Sequence, residues 1–186
     1  GALGHQGEVH GADAVVVVAA GPHHDPEHEG LLLAGKGGMS APSTVAPDIE
    51  RAIKANTKLL NSFGKDVVLI GYSFGADALP AIIPQLPADV RGQIGRLVLI
   101  GAGPNGDLQF HPTSWLNIAT PDSYPVRPAI AALNGLKITC VYGDQEKADI
   151  CASLPDSEVA KVRLPGDHHF NRDYAALGAA VLKASR

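Results

Sequence analysis

The chain has 186 residues, 45% hydrophobic and 18% charged, which is enough apolar material for one compact domain spanning residues 1–186. Its 21 glycines and 14 prolines fall below the roughly 25–30% of low-complexity chains, which excludes disorder, and a net charge of −4 argues against nucleic acid as a partner. The longest apolar stretch, Ala14 to Ala20, is far short of the roughly 20 residues that cross a bilayer.

Gly1 to Gly11 lacks a basic n-region followed by an apolar run, so an exported protein is expected to have lost its leader beforehand. Ala14–Ala19 reads as a strand buried on both faces. His23, His24, Asp25 and His28 come next. Pro26 prevents the regular helix that would align two of them, so a solvated loop and no metal is the expectation. Leu31–Leu33 offers another apolar strand, followed by Gly35-Lys36-Gly37-Gly38, which lacks P-loop spacing.

Asp48–Phe63 has Ile49, Ala52, Ile53, Leu59 and Leu60 near helical spacing, with Pro47 just before it and Gly64 as terminator. Val67–Ile70 is a strand, and Ala76–Ile83 is helix-compatible. Leu97–Ile100 is a strand that runs into Gly101-Ala102-Gly103-Pro104-Asn105-Gly106. Pro104 and Pro112 leave no room for the helix a dinucleotide pyrophosphate requires, so no cofactor is expected there. Pro104–Pro128, with five prolines and Trp115, reads as an irregular excursion over one end of the sheet.

Ile138–Tyr142 and Val159–Leu164 are strands. A last helix is expected over Arg172–Lys183, with Tyr174, Leu177, Val181 and Leu182 facing the sheet. The alternation predicts an α/β fold with a mostly parallel sheet and helices on both faces.

The chemistry concentrates in three loops at strand ends. Gly71-Tyr72-Ser73-Phe74-Gly75 follows a buried strand and precedes a helix, the context of a nucleophile elbow. In that turn the central serine is strained, and small residues two positions to either side prevent clashes. Ser73 is the candidate nucleophile and the Phe74 N–H a candidate oxyanion donor. The second donor is expected from Gly38 in the Gly37/Gly38 loop, with Ala19-Ala20-Gly21-Pro22 as competitor.

An acid and then a histidine must follow in the chain. Gly143-Asp144-Gln145-Glu146 supplies two carboxylates and Asp167-His168-His169-Phe170 two imidazoles. Hydrolases built on such an elbow commonly place the acid three residues after the glycine and the histidine two before an aromatic. That favours Glu146 over Asp144 and His168 over His169, with the alternatives left open.

Gly71 to Asp77, followed by Leu79-Pro80, resembles the VirJ/AcvB bacterial virulence proteins. So do Leu86-Pro87, Trp115-Leu116, the run from Cys140 through Glu146 to Cys151, and Gly166 to Tyr174. The resemblance extends from about Asp48 to the C-terminus. It implies an α/β-hydrolase fold, periplasmic residence and serine esterase chemistry that releases lysine from lysyl-phosphatidylglycerol. It supports Ser73, Glu146 and His168, and with it a Cys140–Cys151 disulfide is expected over two buried thiols.

Residues 1–46 diverge from the family pattern, in which a strand, a Gly-Asp-Gly-Gly-Trp turn, a helix and another strand precede the elbow. Here Gly35-Lys36-Gly37-Gly38-Met39 matches in part and lies close before Gly71, so an N-terminal strand–helix unit is expected to be shortened or lacking. A lysyl substrate calls for an anion near the nucleophile, with Asp77 and Asp107 as candidates, and for transient membrane-surface contact. The rival expectations are a non-catalytic module for a secretion-system or envelope partner, and a generic carboxylesterase or thioesterase.

Overall fold

The computed structural model describes residues 15–20, 42–63, 67–107 and 123–186. In chain order the elements are β1 (Val15–Ala20), α1 (Pro42–Phe63), β2 (Val67–Ser73), α2 (Phe74–Ile82), α3 (Ala88–Arg91) and β3 (Ile94–Ile100). They continue with β4 (Asn105–Asp107), β5 (Ser123–Pro125), α4 (Val126–Ala131), β6 (Lys137–Gly143), β7 (Ala160–Leu164) and α5 (Tyr174–Ala184).

Five strands form one sheet in the order β1-β2-β3-β6-β7, every pair parallel. The runs of valine, leucine and isoleucine follow from burial on both sides. In β2, Val67 and Leu69 enter one cluster while Val68 and Ile70 enter the other. Leu97 and Leu99 of β3 alternate with Val98 and Ile100 in the same way. The first cluster takes Ile49 and Ile53 from α1, Leu79 and Ile82 from α2, Val90 from α3 and Ile130 from α4. The second is covered by α5 through Leu177, Val181 and Ala184. This is the α/β-hydrolase architecture, with helices on both faces.

Four expectations need correction. The first helix begins at Pro42, with Pro47 inside it. Pro47 forfeits one ladder bond near the N-terminus, while Val45 and Ala46 pack onto the core and extend the helix backwards. The last helix begins at Tyr174 because the Asp173 carboxylate accepts the Ala176 N–H at 3.0 Å, fixing the N-cap there.

Tyr174 and Leu182 do not face the sheet; they are 59% and 57% exposed. The seam of Leu177, Val181 and Ala184 takes the sheet side, Leu182 is turned about 100° off it, and Tyr174 opens the helix. The proline-rich excursion is not wholly irregular. Asn105–Asp107 and Ser123–Pro125 pair as an antiparallel ribbon, with Gly106 opposite Tyr124, and α4 follows at once. Strands of three residues are too short to show a period.

Residues 108–122, with Trp115, lie outside the described residues, as do Leu31–Leu33 and the expected shortening of the N-terminal unit. The side chains of Leu59 and Leu60 do too. Among the described residues no helix is long and apolar enough to cross a membrane.

Candidate active site

β2 ends at Ser73 and α2 starts at the next residue, so the chain reverses within a single peptide. Ser73 absorbs the turn with φ 54° and ψ −120°, a conformation that costs a residue other than glycine roughly 1–3 kcal/mol. A Cβ on Gly71 would lie 2.4 Å from the Gly75 carbonyl oxygen, so strand and helix meet backbone to backbone. β2 lies between β1 and β3, and Ser73 is paired with Ala20 at the carboxyl edge. The Phe74 N–H belongs to the first turn of α2, where helical N–H groups have no intrahelical acceptor.

The loop after β7 brings the imidazole. Its turn uses Gly166 at φ 109° and three consecutive left-handed residues, Phe170, Asn171 and Arg172. Phe170, 2% exposed, anchors it in the second core cluster. His168 then lies with Nε2 2.9 Å from Ser73 Oγ and Nδ1 2.6 Å from Glu146 Oε1. With the proton on Nδ1 the ring donates to Glu146 and accepts from the Ser73 hydroxyl at Nε2. The hydrogen bond to Glu146 outweighs burial and raises the His168 pKa above the ordinary histidine value.

The alternatives are used elsewhere. Asp144 Oδ1 accepts the Gly166 N–H at 2.9 Å, tying the acid loop to the histidine loop, and its other oxygen lies 3.6 Å from Arg163. His169 is exposed, with Nδ1 3.3 Å from the Tyr72 hydroxyl.

Three residues of the site went unassigned in the sequence. Tyr72 donates to the His168 carbonyl at 2.9 Å and stacks on its ring at 5.3 Å. Burial pushes the phenol up to about 12, so it remains a donor. Gly101, at φ 62°, is the floor beneath the imidazole: a Cβ there would stand 2.8 Å from His168 Cε1. Gly143 lets the acid loop seat against the histidine loop, since a Cβ would lie 2.4 Å from the Asp167 carbonyl. A glycine closing each of β3 and β6 is the only local signal for the last two.

Cys140 and Cys151 form a disulfide, with Cα atoms 5.6 Å apart, that closes the loop carrying Glu146. Of the candidate anions, Asp77 Oδ1 accepts the Gly103 N–H at 2.7 Å, so this carboxylate holds the turn after β3. The Asp107 side chain, Gly38, Gly21, Pro22 and the His23–His28 cluster lie outside the described residues. Among the described residues no group of three or more potential ligands could hold a metal.

Residues 38–186 match the family described as bacterial virulence protein (VirJ). The chain belongs to the VirJ family. Solved structures similar to this VirJ-family chain include Est1E from Butyrivibrio proteoclasticus, at 14% identity, 92% of this chain and 86% of that one, TM-score 0.56. Human thioesterase 2 is similar at 13% identity, 92% and 95% coverage and TM-score 0.54. E-2-(acetamidomethylene)succinate hydrolase is similar at 16% identity, 83% and 76% coverage and TM-score 0.51. At such identities these likenesses speak for the fold alone. No curated protein sequence matches the chain.

Proposed function

We propose that this protein is a serine hydrolase that cleaves an ester by acyl-enzyme chemistry. One observation carries the reading: an unbroken chain of polar contacts from Ser73 Oγ through His168 to Glu146, starting at a strained elbow. The Ser73 oxygen attacks the ester carbonyl while His168 Nε2 takes its proton. Glu146 stabilises the resulting imidazolium, and the Phe74 N–H receives the oxyanion. Collapse expels the alcohol, which takes the proton from His168. Water, deprotonated by the same imidazole, then frees Ser73.

Family membership points to an aminoacyl phospholipid as substrate, with lysyl-phosphatidylglycerol the specific proposal. The acyl group on Ser73 is then the lysyl moiety, and lysine is released. Asp77, in the first turn of α2, places negative charge near His168 and so near the entering ammonium. The disulfide suits an oxidising compartment, in line with periplasmic residence and transient contact with a membrane surface. A second reading, a carboxylesterase or thioesterase of broader range, draws on the esterase and thioesterase folds that the chain resembles.

A fluorophosphonate probe should label the native protein and fail to label Ser73→Ala. Vesicles containing lysyl-phosphatidylglycerol should release lysine with the native protein alone. Labelling without lysine release, together with turnover of simple acyl esters, selects the broader esterase. A folded protein that takes no label overturns the hydrolase and favours a binding module for a secretion-system or envelope partner.

A further inference from the structure

Two carboxylate oxygens of the acid loop are shut off from solvent and lack a hydrogen-bond partner among the described residues. They are Glu146 Oε2 and Asp149 Oδ2. Leaving a buried acceptor unpaired is costly, and more so when it carries charge. Asp149 stands three residues beyond Glu146 on the same loop and is firmly held. The Cys151 N–H donates to its Oδ1 at 2.6 Å, the neighbouring Ile150 N–H donates to the Ala102 carbonyl at 2.9 Å, and Cys151 is bridged to Cys140 on β6.

We infer that Asp149 is a positioning residue: a protonated carboxyl whose Oδ2–H donates to Glu146 Oε2 and holds that acid in place for His168. One proton between the two carboxyl groups satisfies both orphaned oxygens and leaves a single negative charge to face the imidazole through Glu146. Two charges would repel each other, with the outer oxygen of each shut off from water. A neutral Glu146 would lose the charge that stabilises the imidazolium. Asp149 is therefore the member of the pair that keeps the proton.

The surroundings agree with that assignment. Burial raises the Asp149 pKa most, and the Cys151 N–H lowers it. Glu146 on its own loop raises it, while His168 from the loop after β7 and the Ala102 main chain at the end of β3 lower it. The balance lies at about 7. Asp149 thus holds its proton in weakly acid solution and loses it above neutrality, and the support for Glu146 goes with it. The catalytic consequence rests on the hydrolase reading of Ser73 and His168; the pairing of the carboxyl groups does not.

The test measures fluorophosphonate labelling rates from pH 5 to 9 on the full chain and on Asp149→Asn and Asp149→Ala, with folding followed by circular dichroism. The asparagine keeps an acceptor for Cys151 and a permanent donor toward Glu146. It should label at least as fast as the native protein and lose the fall in rate above neutrality. The alanine should label at least tenfold more slowly throughout. Native rates and a native pH profile in Asp149→Ala, or an Asp149→Asn as slow as the alanine, overturn the inference.

Carboxyl carbon NMR supplies an arm independent of activity. Asp149 should titrate near neutrality, and Glu146→Gln should shift its titration to lower pH. A native protein that takes no label sinks the hydrolase reading, yet the pairing still stands or falls on this titration. An Asp149 that titrates near the ordinary value of roughly 4 and ignores Glu146→Gln overturns it.

Discussion

The acid loop, 143–151, and the histidine loop, 165–173, meet at the same point but are held by different means. The acid loop is fastened covalently by Cys140–Cys151 and pinned to the end of β3 by the Ile150 N–H. The histidine loop has no covalent tie. It stores left-handed strain at Phe170, Asn171 and Arg172 and is held by the buried Phe170 ring together with hydrogen bonds from Tyr72 and to Asp144. In the proposed chemistry Glu146 orients the imidazole and stabilises its cation without moving, so it can sit on a stapled loop. The imidazole proposed to exchange protons with Ser73 is placed by packing and by hydrogen bonds, and loss of the packing is expected to disturb it most.

Phe170→Ala should therefore have the largest effect, about 3–5 kcal/mol of stability by urea unfolding, with labelling of Ser73 collapsing. A loss below about 1 kcal/mol would mean that the hydrogen bonds to Asp144 and from Tyr72 suffice to anchor the histidine loop. Replacing both cysteines by alanine should cost about 3 kcal/mol, the chain-entropy value for a loop of this length. If labelling survives in that folded variant, hydrogen bonds alone suffice to hold the acid loop.

Gly101→Ala separates position from stability. It should cost only about 1 kcal/mol, for a methyl at positive φ. It should slow labelling by about 10- to 100-fold as the imidazole is pushed off its floor. Equal losses in both measurements would deny Gly101 its role as the floor.

The smallest effect is a pH dependence. His168 and Asp149 both have folded-state pKa values above their ordinary ones. Each contribution to stability is thus full at low pH and lost as pH rises through the folded value. For Asp149 the window runs from about 4 to about 7. Thermal unfolding of Asp149→Asn should match the native protein near pH 4 and exceed it by a few degrees near pH 8. The proposed chemistry needs a neutral imidazole as base, which sets an opposite trend in rate, so labelling should slow as pH falls through the raised His168 value.

Much of the site was legible because the elbow imposes local demands. A strand, two glycines four apart and a helix must occur in a row, and Val67–Ile82 satisfies all three. The acid and histidine loops were legible for the same reason, each following a run of β-rich residues. Spacing after Gly143 favours Glu146 over Asp144 but leaves both open; what separates them is a contact between loops, the Gly166 N–H occupying Asp144 while Glu146 takes His168. Gly101 and Gly143 were hidden because the atoms that exclude a side chain there come from residues more than twenty positions away. Asp149 carried no motif at all; only burial beside Glu146 marks it. In the fold, hydropathy placed Tyr174 and Leu182 on the sheet, whereas the face that α5 presents was settled by the Leu177–Val181–Ala184 seam.

The contacts at Gly71, Gly101 and Gly143 share one property: each is bare main chain against a neighbouring loop or ring. Such joints are shaped by atoms that are missing, so a methyl at any of them must displace a neighbouring part. Variants made to alter the proposed acyl specificity should therefore keep these three glycines.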